Sequence, residues 1–290
     1  MDFGIRREKR LLARALELSG VNSALLYAQS ALLRRGYVRV VNYHGTPREH
    51  AATLEHQMAF YAEHFSPVTP GDLERFFRDG AWVAPKPGLL ISFDDGLRTN
   101  HDIAAPLLER YGFTGWFFVP VGFIDEPVET QTRFADEHLI QIDDTPPDGR
   151  VAMSWEELRT LSQRHVVGCH TRTHLRLEPR VAPSRLEDEI INARVDLEAR
   201  VGRPVDAFCW VGGEEHTYSA EAARVIRRGG YRYGFMTNNA PLVPGTDPFQ
   251  IQRTNIEAAW SLDVLRFQLS GVMDALYAPK RSRVNRLTGR

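Results

Sequence analysis

The 290-residue sequence predicts an α/β fold on a parallel sheet, and three observations carry that prediction. Short apolar runs rich in β-branched and aromatic residues recur between stretches of helical period. The polar residues best suited to chemistry follow directly on these runs, at the carboxyl ends where parallel α/β folds place their sites. No repeat, low-complexity tract or linker separates two regimes of composition, so one main domain is expected.

The elements read in chain order. Leu11, Leu12, Leu16, Leu18, Leu25, Leu26, Leu32 and Leu33 recur at helical spacing among arginines, which predicts a helical arm within residues 1–36. Packing on the domain is its expected role, with a membrane-surface helix as the alternative. Seven strands follow, at 37–43, 88–93, 114–120, 165–169, 207–211, 233–237 and 249–253. Helices are predicted at 50–65, from Asn100 to Arg110, and at 154–164, 182–202 and 219–230. Ser154 and Glu157 form a capping box, and Gly230 is a candidate stop. Residues 124–150 carry acids, prolines and a glycine without clear period, and read as a long loop or insertion bordering the site. The main domain is thus 37–260, followed by a C-terminal helix and basic tail at 261–290.

Composition excludes several classes. With 43% hydrophobic and 25% charged residues the chain is neither disordered nor fibrous. A net charge of -1 provides no field for nucleic acid. Two cysteines, Cys169 and Cys209, rule out a disulfide scaffold or a cysteine zinc cluster, and both read as small buried side chains. Arg10, Arg14, Glu17 and Gln29 interrupt any signal-like apolar run, so a cytoplasmic location is expected, with the inner face of a membrane as a variant. Basic residues gather at both ends, in Arg6, Arg7, Lys9 and Arg10 and in Lys280, Arg281, Arg283, Arg286 and Arg290. They read as solvated surface, with contact to anionic lipid as the alternative. The oligomeric state is open.

Two motifs carry chemistry. Asp94 and Asp95 follow the strand LLISF, with Gly96 releasing the chain into a turn. At a turning strand end, both carboxylates can line one cavity. A lone DDG is equally a cap or a turn. His170 and His174 follow the run VVGC four residues apart and can share one metal ion if the segment turns helically, with Thr171 and Thr173 anchoring the turn. Two such signals at strand ends reinforce each other.

Together, SFDDG and HTRTH resemble the polysaccharide deacetylases of the NodB-homology type, carbohydrate esterase family four, whose motifs read TFDDG and H-[ST]-x-x-H. The helix SWEELRTL and the segments around His170 extend the likeness over roughly 37–255. The resemblance implies a distorted (β/α)7 barrel and one divalent metal ion, zinc above all, with cobalt, nickel or iron as alternatives. It implies Asp94 as general base and Asp95, His170 and His174 as metal ligands. His44, in VVNYHG, corresponds to the general acid of a subgroup with an early Tyr-His pair, which also places Tyr43 at the substrate. No histidine follows His216, in keeping with that subgroup. FCWVGG aligns loosely with the third motif, FxYPFG, and makes Trp210, Gly212 and Gly213 candidates for the pocket, although Val211 replaces the proline. Trp210 could stack on a sugar or simply pack. Arg253 ends the last strand, where it could hold the catalytic carboxylate or a surface acid. Glu214, Glu215 and His216 read as a solvated loop.

The implied activity is hydrolysis of an N-acetyl group on a saccharide or sugar-bearing precursor. The rivals are an amidohydrolase on a small or lipid-linked substrate and a catalytically silent carbohydrate-binding protein on the same fold.

Overall fold

A row of parallel strands, each begun where the last one's helix returns, forms the centre of the molecule. The computed structural model describes residue 14 and residues 19–33 and 36–289. Strands β1 (Val38–Tyr43), β2 (Ser66–Pro67), β3 (Gly88–Phe93), β4 (Gly115–Val119), β5 (Val166–Cys169), β6 (Ala207–Cys209), β7 (Tyr233–Met236), β8 (Ile251–Gln252) and β9 (Thr254–Asn255) pair in the order β8-β7-β6-β5-β4-β3-β1-β9. The short β2 pairs with β3 off this path. All of these pairings are parallel. β8 and β9 are two halves of one extended segment, 251–255, whose first half pairs with β7 and second half with β1. That segment bends at Arg253 and joins the two margins, giving the nearly closed α/β barrel that the sequence predicts.

Alternation along the strands divides the core in two. Val38, Val40, Leu90, Trp116, Phe118, Phe235 and Ile251 form an inner cluster. Val41, Tyr43, Leu89, Ile91, Phe93, Phe117 and Phe208 face outward and pack in the larger cluster with Leu54, Met58, Leu158 and Ile190. Continuous burial of β1, β3 and β4 fits strands covered on both faces. Six-residue register between β1 and β3 sets Tyr43 opposite Phe93, so the next residues, His44 and Asp94, emerge side by side.

The predicted strands and helices are found near their expected positions, and the structure adds the short β2 and β9, the helix Val121–Asp125 and two larger differences. The helix Pro70–Asp79 falls outside the predicted elements, although its signals are local: Thr69 and Asp72 form a capping box, and Gly80 ends it in the left-handed region. Its Leu73 and Phe76 join the inner cluster. The stretch 124–150 is not a simple loop, because Val128–Glu137 is helical and buries Gln131, Phe134 and Ala135. Its polar face hides the period, since only one side packs. Gln131 accepts from the N–H groups of Val151 and Ala152, which ties the end of the insertion to its helix. The capping box at Ser154 and Glu157 forms as expected.

Of the N-terminal arm, the helix Val21–Leu32 is described, and Leu26 packs against the larger cluster while buried Asn22 donates to the Asp263 carbonyl. The basic residues Arg6, Arg7, Lys9, Arg10 and Arg290 lie outside the described residues. The described part of the C-terminal segment, 261–289, forms two helices, Leu262–Leu269 and Val272–Thr288. Lys280, Arg281 and Arg283 of the second turn onto the domain, Lys280 donating to the Gly213 carbonyl and Arg283 pairing with Glu215. Among the described residues, no helix is long and apolar enough to cross a membrane.

The C-terminal helix is bound to β1 by a buried ion pair. Arg39 Nη1 and Nη2 each lie 2.8 Å from a different oxygen of Asp274, with the Arg39 side chain 1% exposed. Such bidentate geometry offsets the desolvation of both charges, whereas a single partner left behind has no compensation. Arg39→Ala is therefore expected to lower unfolding stability by about 3–5 kcal/mol, read as the shift in denaturant midpoint at unchanged slope. Arg39→Met combined with Asp274→Leu is expected to cost much less.

Candidate active site

The same alternation that builds the inner cluster aims a set of polar side chains at the carboxyl end of the barrel. His44, Asp94, His170, Cys209 and Arg253 continue the inward-facing positions of β1, β3, β5, β6 and the bend between β8 and β9. Asp95 follows Asp94 but adopts φ 72°, a left-handed conformation that brings the second carboxylate into the same cavity. The cavity measures about 1060 Å³ and is lined by His44, Asp94, Asp95, His170 and His174 among others.

Arg253 fixes Asp94. Its Nη1 and Nη2 donate to the two carboxylate oxygens at 2.6 and 2.7 Å, and both side chains are at most 3% exposed. Nη1 also reaches Ser92 Oγ at 3.2 Å, and that hydroxyl donates to the Val41 carbonyl. Burial alone would raise the Asp94 carboxyl, but the Arg253 charge, His170 and the Arg253 hydrogen bonds outweigh it and hold the group below its ordinary value. Asp94 is thus an ionised, oriented acceptor. His44 Nε2 stands 4.0 Å from Asp94 Oδ2 and is partly open to the cavity.

The second group is Asp95, His170 and His174. Asp95 Oδ1 lies 3.5 Å from His170 Nε2 and 3.1 Å from His174 Nε2. That oxygen is buried without a hydrogen-bond partner. Each imidazole instead uses Nδ1 on a backbone carbonyl, His170 on Cys209 at 3.0 Å and His174 on His138 at 2.6 Å. With Nδ1–H donating, each Nε2 presents a lone pair to the same point as the orphaned carboxylate oxygen. One carboxylate and two neutral imidazoles suit a divalent cation with open positions, so the residues fit the metal that the resemblance implies. Burial raises the Asp95 carboxyl and the two histidines more than reverse this, leaving it well below its ordinary value.

The segment after His170 does not turn helically, contrary to expectation. Thr171 and His174 take left-handed φ values of 66° and 57°. Such conformations cost about 1–3 kcal/mol each and persist where surrounding bonds hold them. Glu189, fully buried, supplies those bonds by accepting from the N–H groups of Arg172 and Thr173 at 2.8 Å and from the Thr173 hydroxyl at 2.6 Å. Thr171 Oγ1 accepts from the Leu175 N–H. Thr171 and Thr173 do anchor the turn, but around a carboxylate that the motif does not reveal.

Two candidates lie elsewhere. Tyr43 faces the outer layer, where its hydroxyl donates to Gln57 and meets Tyr61, because a residue adjacent to inward His44 must point the other way. Trp210 is likewise outward and buried, packed edge-on to Phe208 and against Tyr218. Gly212 and Gly213 do line the cavity, and Gly212 has φ 82°, which the absence of a Cβ permits. The Gly213 N–H is engaged by Glu214 Oε2. Glu214 and Glu215 also line the cavity, and His216 is exposed. Both cysteines are buried, and burial pushes the Cys169 thiol up to about 12. Residues that sequence reasoning missed include Asp143, from the insertion, and Tyr277 and Lys280, from the C-terminal helix, all on the cavity wall.

An α/β barrel with a fixed carboxylate and a cluster able to hold a metal ion at its strand ends has the groups that hydrolysis needs. The family model for polysaccharide deacetylase matches residues 83–234, just over half of the chain, and the chain belongs to that family, whose members are hydrolases of carbon–nitrogen bonds. A search of curated proteins returned no match. Among solved structures, the chain is similar to the Streptococcus pyogenes deacetylase PplD in complex with acetate, with TM-score 0.64 and 16% identity over 80% of this chain and 98% of that one. It is similar to a polysaccharide deacetylase from Bacillus cereus, with TM-score 0.61 and 19% identity over 80% and 69% of the two chains. A de-N-acetylase from Aggregatibacter actinomycetemcomitans has TM-score 0.62 and 15% identity over 80% and 99%. At these identities the likeness is one of fold.

The raised carboxyl of Asp143 has a consequence for stability. Burial pushes it from 3.8 up to about 6, against the weaker lowering effect of its Thr99 hydrogen bond. A folded-state value above the unfolded one means that stability is full below the unfolded value and is lost as pH rises through the folded one. Asp143→Asn is expected to be more stable than the parent by roughly 1–3 kcal/mol near pH 8, with the difference gone near pH 4. Denaturant titrations at the two pH values test this.

Proposed function

We propose that this protein removes the acetyl group from an N-acetylated sugar, with Asp94 as general base, Asp95, His170 and His174 as metal ligands and His44 as general acid. The observation that carries the reading is the placement of the Arg253-held carboxylate of Asp94 beside the orphaned oxygen of Asp95 and two imidazoles whose Nε2 atoms face it. Zinc suits that donor set, and cobalt, nickel or iron would also be accepted. The substrate is an N-acetylated saccharide, free or within a larger precursor.

Asp95, His170 and His174 would hold a divalent cation, which when bound would supply Lewis-acid polarisation of the acetyl carbonyl and acidify water near neutral pH. Asp94 takes the proton from the attacking water. Its two bonds from Arg253 keep it ionised and prevent it from rotating away, so its orientation is set before substrate binds. The carbon–nitrogen bond then breaks, and the departing amine needs a proton. His44 Nε2, beside Asp94 and partly open to the cavity, provides it in this reading, which the neighbouring positions of His44 and Asp94 at the ends of parallel β1 and β3 support. The products are acetate and a free amino sugar.

Arg253 also explains why the altered third motif is compatible with activity. The tether to the base comes from the β8–β9 bend, so Val211 in place of proline leaves it untouched. A catalytically silent role would not require a buried carboxylate, an orphaned oxygen and two oriented imidazoles to be held at this cost.

Chelation is expected to abolish deacetylation of an N-acetylated chito-oligosaccharide and added divalent metal to restore it, while His170→Ala and His174→Ala lose both metal and activity by elemental analysis and assay. Asp94→Asn and His44→Gln are expected to retain metal and to lower kcat by about 10²–10⁴-fold. Normal turnover by Asp94→Asn would sink the assignment of the base.

A further inference from the structure

The cavity wall carries a carboxylate for which the hydrolysis has no use. Asp143 lies between the helix Val128–Glu137 and the strand-like return at Val151, inside the insertion, and it faces the same cavity as the base and the metal ligands. Thr99 Oγ1 donates to its two oxygens at 3.1 and 3.3 Å. Thr99 follows the DDG turn, so the anchor belongs to the segment that presents Asp94 and Asp95. The opposite contact is with the residue after His44. A Cβ at Gly45 would overlap Asp143 Oδ2, and only glycine leaves room for the carboxylate there. Asp143 is therefore wedged between the loop that carries the acid and the loop that carries the base.

Its side-chain anchor is the neutral Thr99 hydroxyl, backbone N–H groups at Asp143 and Asp144 add weaker support, and the neighbouring Asp144 charge opposes ionisation. A half-buried carboxylate held by neutral donors costs stability once ionised, and such groups concentrate where a ligand completes them. Asp143 also lines an adjoining hollow with Pro47, Arg48 and Thr99, so its oxygens stand at the boundary of two open spaces. Neutral hydroxyl donors suit it best, because charge-assisted O–H bonds to a carboxylate are short and strong without requiring a second buried charge.

We propose that Asp143 is a specificity-determining residue, whose carboxylate accepts a hydrogen bond from a hydroxyl of the acetylated sugar and so sets the ring against Asp94 and the metal ligands. The proposal rests on the deacetylase reading of the site. It assigns to the insertion the recognition of the sugar and leaves proton transfer to Asp94 and His44.

The test uses the metal-loaded full chain, with an N-acetylated chito-oligosaccharide and its monodeoxy analogues as probes. Asp143→Ala is expected to raise KM by about tenfold or more, with kcat within about threefold and metal content unchanged. Asp143→Asn and Thr99→Val are expected to lie between this variant and the parent. The parent is expected to discriminate by about tenfold or more in kcat/KM against one deoxy analogue, and Asp143→Ala to lose that discrimination. An unchanged KM, or a loss confined to kcat, overturns the proposal, the second outcome marking a role in proton transfer. Loss of discrimination for no analogue also overturns it. Binding is measured separately by calorimetry in an Asp94→Asn background, with and without Asp143→Ala. If the parent deacetylates nothing but the Asp94→Asn protein binds the oligosaccharide through Asp143, the deacetylase reading fails and the recognition role stands. If the parent deacetylates the oligosaccharide and the reaction is indifferent to Asp143, the recognition role fails and the deacetylase reading stands.

Discussion

The bidentate pair between Arg253 and Asp94 is the interaction on which the site depends. It lies at the one place where the barrel changes partners, between the halves of a segment that pairs with β7 on one side and β1 on the other. The backbone of Arg253 donates to the Met236 carbonyl, and the Asn239 N–H donates to the Arg253 carbonyl, so the side chain is rooted in the closure of the sheet. Closure of the barrel and orientation of the Asp94 carboxylate are thus one structural event. An arginine is suited to this position because its fork meets both carboxylate oxygens and keeps its charge when buried.

Around that pair, each reactive group has its direction set by backbone. The imidazoles of His170 and His174 are turned by carbonyls of Cys209 and His138, one from the neighbouring strand and one from the end of the insertion helix. Left-handed residues at Asp95, Thr171 and His174 put side chains where extended backbone could not. The strain is offset by Glu189, which gathers three donors from the histidine loop and is itself paired with Arg185. The side chains at the cavity are thus held in fixed directions by partners outside it.

The insertion and the C-terminal helix supply the parts of the wall that the two motifs do not. Tyr277 and Lys280 come from a helix fastened to β1 by Arg39 and Asp274, and Lys280 lies over the Tyr277 ring. Asp143 comes from the insertion and fits only because residue 45 is glycine. A carboxyl that burial raises to about 6 is a stability cost at the cavity wall, which is the pattern expected where function and stability compete.

Much of this is legible in the residues themselves. Short apolar runs and helical spacing locate the strands and helices, because strands buried on both faces are continuous apolar runs with sharp ends. The SFDDG and HTRTH motifs mark the strand ends where carboxylates and imidazoles gather, and His44 and Arg253 can be named beside them. Other features depend on contacts distant in sequence. The family resemblance names Tyr43 and Trp210 for the pocket, but each neighbours an inward-facing residue, His44 or Cys209, and in a strand such neighbours take opposite faces. The helix Val128–Glu137 is hidden in the sequence because its polar face is set by what it packs against, not by its own period. Glu189 and Asp143 carry no local signal: one acts on a loop 16 and 17 residues away and the other on Gly45 and Thr99. Sequence by itself determined which groups could do the chemistry, since that follows from residue type and strand position. Tertiary structure alone decided which carboxylate is tethered by Arg253, which keeps an oxygen without a partner beside two imidazoles and which stands on the cavity wall against Gly45, because those placements come from burial, register and partners that only the closed barrel brings together.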